Sequence, residues 1–227
     1  MDEKRKEKAE TELRKTEQRE SQIAERQRKR REGAKNINKP DTPLDQWVDT
    51  WEKYQKIVEW CRQNKKKFTD TDFKADAGSL GSNLASRTKV DKWVRATELS
   101  EQKCSLYKED QFGGSKVNAL DVIQGKLGDC YFLSAISVLG EKNVEAMIKT
   151  TEADWKMTGC FCVRFFRDNQ EEYVIVDDHF PAIQENGRTE WIFAKGGDLG
   201  DELWPMVLEK AYAKLYGAYE YIEAGKV

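Results

Sequence analysis

Apolar and polar positions divide the chain into stretches of different texture. Between Met1 and Ile37 only Leu13 and Ile23 are large and apolar; most of the rest is Glu, Lys, Arg, Gln and Ala. Such residues favour helix. Asp2–Lys6, Glu10–Arg14 and Glu25–Lys29 set an acid four residues before a base, the favourable order on a helix. No heptad seam runs through them, which argues against a coiled coil. The pattern predicts an extended, charged, solvated N-terminal helix ending near Gly33, within an arm over residues 1–39. A linker follows up to Pro43. Thr42, Pro43 and Asp45 then combine a capping hydroxyl, proline at the first helical position and an acid in the first turn. Leu44, Trp47, Val48, Trp51, Tyr54 and Val58 keep a helical period. An amphipathic helix over 44–64 is expected, with Trp47, Trp51 and Trp60 packing on the body. The segment 40–67 thus reads as linker plus Trp-rich helix.

From Phe68 the texture changes to turns around Asp76–Ser79 and Gly81–Asn83, and a further loop with short extended pieces over 111–125. Phe132, Leu133, Ile136 and Leu139 share a face and predict a buried helix over 130–140; a second helix is expected over 143–150. Phe161, Val163 and Phe165 alternate as in a strand, with Cys160 and Cys162 on its other face. Tyr173–Val176 and Glu190–Ala194 read as further strands, the latter after a turn at Asn186-Gly187. Trp204, Val207, Leu208, Ala211, Tyr212 and Leu215 mark the strongest amphipathic helix. The fold class is therefore α+β, with helices around a small antiparallel sheet.

Charge sharpens this division. Residues 1–39 hold 14 basic and 9 acidic side chains, and residues 40–227 hold 25 and 32, so a basic arm precedes an acidic body. The acidic body argues against nucleic acid as the main partner and suits a cation such as calcium. The run Arg26–Arg31 offers a weak membrane or partner contact. Five irregularly spaced cysteines and one histidine leave no zinc pattern. Met1 leads straight into Asp2-Glu3-Lys4-Arg5, and no apolar run approaches 18 residues. A reducing, cytoplasmic setting is the expectation.

The candidate chemistry lies in Gln124-Gly125-Lys126-Leu127-Gly128-Asp129-Cys130. This glycine-punctuated loop delivers a cysteine to the start of a buried helix. There the macrodipole and unpaired backbone N–H groups favour the thiolate. The Cys130 N–H and the Gln124 amide are candidate donors to an oxyanion formed when sulfur attacks a carbonyl. An inert buried cysteine at a helix start is the alternative reading of the same spacing. A nucleotide site is disfavoured, because no Gly-Lys-Ser/Thr ending closes the loop.

Gln124–Ala135 resembles the nucleophile motif of the calpains, calcium-dependent cysteine endopeptidases, departing from it at Tyr131, where the family usually has Trp. Leu203–Gly217, with Tyr219-Glu220 and Gly225, is similar to the family's helix downstream of the cysteine. Val176-Asp177-Asp178 with Pro181 matches a weaker block, and Phe68, Asp70, Phe73 and Ser79-Leu80 resemble the core entry. The resemblance covers about residues 68–227. It implies the papain-like first half of a cysteine-protease core over 68–227, with Cys130 as nucleophile and Gln124 as oxyanion-hole side chain. It also implies calcium held by Asp121 and Glu202, hard oxygen ligands, and protein substrates cut in limited proteolysis. The carbonyl ligands would come from the Gly113-Gly114 loop. His179, at a strand end, is expected to be structural. In papain-like enzymes the histidine and asparagine lie roughly 130–150 residues beyond the cysteine, past Val227. A second subdomain is therefore expected downstream, and this half is expected to be inactive alone. The alternative is a non-enzymatic, calcium-responsive binding or scaffold protein.

Overall fold

The computed structural model describes residues 49–98, 104–108, 117, 122–167, 169–185, 187–197 and 200–223, together with Arg14, Glu17 and Ser21. The chain divides into two compact units, Met1–Val48 and Asp49–Val227. In the first unit Arg14, Glu17 and Ser21 are helical and exposed. The rest of the expected arm helix, and Trp47 and the helix start at Thr42, lie outside the described residues.

The second unit opens with α1 (Trp51–Asn64). It starts later than the 44–64 periodicity predicts, because Thr50 is extended and its side chain caps the Lys53 N–H. Asp49 is meanwhile drawn into the body, where its carboxylate accepts the Ile175 N–H at 3.0 Å. Tyr54, Ile57, Val58 and Cys61 are buried against Cys160, Cys162 and Ile175, with Trp51 packed at the edge. Trp60 does not pack as expected; it is 45% exposed on the other face. Short helices α2 (Ala77–Leu80) and α3 (Ser82–Arg87) follow, and then β1 (Lys92–Arg95) and β2 (Val122–Ile123).

Next come α4 (Cys130–Ser137), α5 (Glu141–Met147) and α6 (Glu152–Thr158). The first two stop short of their predicted ends. The third was not anticipated; Thr151 caps it by accepting the Asp154 N–H, and its Trp155 is buried. The strands β3 (Cys160–Arg167) and β4 (Gln170–Asp177) form one antiparallel ribbon. β5 (His179–Glu185) lies between β1 and β6 (Arg188–Trp191), and β7 (Lys195–Gly196) pairs with β2. The single small sheet expected from the sequence is thus three small antiparallel sheets among the described residues.

The last long helix is α7 (Trp204–Tyr216), with Pro205 in its first turn. Its apolar period is as read, but the helix is not amphipathic in place, because Glu209, Lys210 and Lys214 are buried along with Val207, Leu208 and Ala211. Burying a charge is tolerable only when it is paired. Lys210 Nζ reaches Asp177 Oδ1 at 2.5 Å and the His179 carbonyl at 2.7 Å. Lys214 Nζ reaches Asp70 Oδ2 at 2.7 Å, the Ile175 carbonyl at 2.6 Å and Asp49 Oδ2 at 3.4 Å. Asp70 closes the network by donating its N–H to Asp177. The helix therefore serves as a central post with ionic pegs. Among the described residues no helix is long and apolar enough to cross a membrane.

Candidate active site

Gln124 to Asp129 is a turn-rich loop between β2 and α4. Leu127 is its buried anchor, and the Lys126 N–H donates to the Ile192 carbonyl at 2.7 Å. Gly125 lies so close to the 192–193 backbone that a Cβ there would come within 3.0 Å of the Phe193 and Ile192 carbonyl oxygens. The requirement for glycine is thus close approach, not an unusual dihedral. Gln124 is exposed, and its Nε2 donates to the Leu127 carbonyl at 2.8 Å. An amide nitrogen carries two hydrogens, so this bond orients the side chain and leaves the second hydrogen for another acceptor.

Cys130 is the first residue of α4 and is exposed, whereas Cys61, Cys104, Cys160 and Cys162 are buried. Burial raises the pKa of all four of those thiols, Cys104 to about 11. Desolvation thus keeps them protonated and inert. Asp129 precedes Cys130 at the cap position, yet its carboxylate makes no capping bond. It turns inward and is wholly buried. Only its carbonyl serves the helix, accepting the Phe132 and Leu133 N–H groups. The first N–H groups of α4 therefore meet no side-chain cap, which is the arrangement an oxyanion needs.

A family model described as calpain family cysteine protease matches residues 68–227. The chain belongs to the calpain family of cysteine proteases. It is 36% identical over 170 residues to a calpain-type cysteine protease of Oryza sativa subsp. japonica, covering 73% of this chain and 8% of that protein. It is 34% identical over 173 residues to the calpain-2 catalytic subunit of Gallus gallus, covering 73% of this chain and 23% of the relative. Calpain-13 of Rattus norvegicus is 29% identical over 169 residues, with 73% and 24% covered. The chain thus spans a quarter or less of the length of these calpain relatives.

The remaining candidates of the calpain-family chain are distributed around this loop and helix. Glu202 is 2% exposed, and its backbone bridges both Ser105 and Gly196. Its Oε1 accepts the Lys108 N–H at 3.1 Å. Gly196 also pairs with Val122, so Glu202 is joined through β7 and β2 to the residues just before Gln124. A buried carboxylate is a hard oxygen donor of the kind calcium takes. Asp121 and the Gly113-Gly114 loop lie outside the described residues, and no cluster of three or more potential ligands forms among the described ones. His179 lies at the start of β5, with Nδ1 2.9 Å from Asp177 Oδ2.

Two residues of the site escaped the sequence reading. Asp129 stood inside the motif without a role, and Glu209 on α7 was hidden in an apolar helix pattern. Both oxygens of Glu209 share the Ala194 N–H at 3.2 Å, and its carboxyl faces that of Asp129. The available signal was an acid within three residues of Met206, Val207, Leu208 and Ala211, all buried here.

Proposed function

We propose that the chain carries the nucleophile half of a calcium-dependent cysteine endopeptidase acting in limited proteolysis of cytoplasmic proteins. The observation that carries this reading is the selective exposure of Cys130 at the uncapped start of α4. In this reading Cys130 Sγ attacks the scissile carbonyl carbon. The Cys130 N–H and the remaining Gln124 amide hydrogen receive the developing oxyanion, a contribution worth about 10²–10³ in rate per donor. The base and its orienting amide come from a second subdomain, as the calpain resemblance implies, and the isolated half is inactive. Calcium would be held by Glu202 and Asp121. Its support is the β2–β7 register, which ties Glu202 to the root of the Gln124 loop.

The test is thiol labelling of the 227-residue chain with and without calcium. Cys130 should react far ahead of the other four cysteines, and faster with calcium. Uniform labelling that ignores calcium would defeat the reading. Preferential labelling of Cys130 without a calcium effect would retain the nucleophile and remove the calcium switch.

A further inference from the structure

Beneath Cys130 two acidic side chains meet in the interior. Asp129 is 0% exposed and Glu209 is 1% exposed. Neither Asp129 oxygen meets an N–H or hydroxyl donor among the described residues. Its partner is the Glu209 carboxyl, reached across the packing of α4 on α7. The two helices are locked there by the Phe132 and Tyr212 rings, stacked at 4.3 Å with 8° between planes. Two carboxylates in contact cannot both stay ionised in such a place, so the arrangement requires a proton between them.

We propose that Asp129 and Glu209 form a carboxyl–carboxylate pair sharing one proton, and that this pair positions Cys130. The pair fixes the residue immediately before the nucleophile onto α7. Through the Ala194 N–H it also fixes both to the 192–194 backbone. The same backbone holds the Gln124 loop through the Ile192 carbonyl and Lys126 N–H. One short segment thus references the nucleophile and its oxyanion donor to each other. Asp129 and Glu209 act through Cys130 and do not touch substrate. The positioning role rests on Cys130 being the nucleophile; the pair itself does not.

The groups around the pair reinforce the need for the proton. Tyr131 on α4, Tyr219 on the following 3₁₀ turn and Glu223 beyond it interact with one or both carboxyls, and none supplies positive charge. Tyr131 bonds Tyr212 of α7, so that phenol is engaged as well. Lys210, next to Glu209 in sequence, is committed to Asp177 and His179. Burial is the largest cause raising both acids, and their mutual charge adds to it for Glu209. The sign follows. Native pKa values raised above the unfolded ones give a stability contribution that is full below the unfolded values and lost as pH rises through the native ones.

Glu209→Gln is the decisive variant. Its amide can donate to Asp129 and hold that carboxyl ionised, and its carbonyl can accept the Ala194 N–H, so no shared proton is needed. In the full 227-residue chain, thermal unfolding and Cys130 alkylation, normalised to a free thiol, are followed from pH 5 to pH 9. While the pair retains a proton that the unfolded chain has lost, the wild-type folding constant should fall on the order of tenfold per pH unit relative to Glu209→Gln. The normalised alkylation rate should change over the same interval in wild type and stay level in Glu209→Gln. Asp129→Asn, which can donate to Glu209, should flatten both profiles likewise. Parallel stability profiles in wild type and both variants overturn the pair. A flattened stability profile with an unchanged alkylation profile overturns the positioning role. Flattened stability in a chain whose Cys130 labels no faster than the buried cysteines supports the pair and defeats the protease reading instead.

Discussion

Replacing Gly125 with alanine tests how the loop before Cys130 is held. The new Cβ would fall within 3.0 Å of the carbonyl oxygens of Phe193 and Ile192, both backbone atoms that cannot swing aside. Ordinary contact begins at about 3.5 Å, so the loop must retreat by roughly 1 Å. Crowding of this kind costs about 1–3 kcal/mol. The retreat also stretches the Lys126 N–H bond to Ile192, now 2.7 Å, with a loss of about 1 kcal/mol. The sum, about 2–4 kcal/mol, lowers the melting midpoint on the order of 10 °C in a chain this size. The appropriate control is Gly187→Ala, where nothing lies within 4 Å and only the φ of +77° opposes a side chain. That variant should lose about 1–2 kcal/mol. Differential scanning calorimetry with urea unfolding of the three proteins decides the matter. A Gly125→Ala variant as stable as wild type, or no worse than Gly187→Ala, would show that the 192–193 backbone does not clamp the loop. On the proposed oxyanion role of Gln124, the same shift displaces that donor, and a misplacement of about 1 Å costs on the order of 10²-fold in rate.

Two further outcomes follow from the pegs of α7. Lys214→Met takes from buried Asp70 its 2.7 Å ion pair, while Asp49 keeps Lys53 at 2.9 Å, and should cost about 3–5 kcal/mol, measured by urea unfolding; a loss below about 1 kcal/mol would refute the network. Burial pushes the Asp177 carboxyl up, but Lys210 and His179 outweigh it and hold the group below its ordinary value. A lowered native pKa gives stability that is present above the unfolded value and lost as pH falls through the native one. Asp177→Asn should therefore be much less stable than wild type at pH 7, with the gap closing as pH falls toward about 2; a gap independent of pH would contradict the pairing.

What the sequence disclosed depended on whether the partners were neighbours. The alternation of Phe161, Val163 and Phe165 against Cys160 and Cys162 was legible because it is local, and both sets are buried on opposite faces of β3. The loop from Gln124 to the helix start at Cys130 was legible because one continuous motif holds it. The true character of α7 was not. Its charges are neutralised by Asp177, Asp70 and Asp49, which are 33 residues or more away in the chain, and no periodicity reveals such pairing. The Asp129–Glu209 contact escaped for the same reason. The start of α1 was misplaced because Thr42-Pro43 and Thr50 are both acceptable caps, and tertiary contacts at Asp49 favour the second.

The contacts of Asp49 also bear on where a shortened version of the protein can begin. The family match starts at residue 68, and a chain cut there would look complete by similarity. It would nevertheless uncover Cys160, Cys162 and Ile175, which α1 shields from water. It would leave the Ile175 N–H without its acceptor and Lys214 with one carboxylate fewer. The recombinant unit should therefore begin at or before Asp49, so that the helix preceding the recognised domain travels with it as its missing wall.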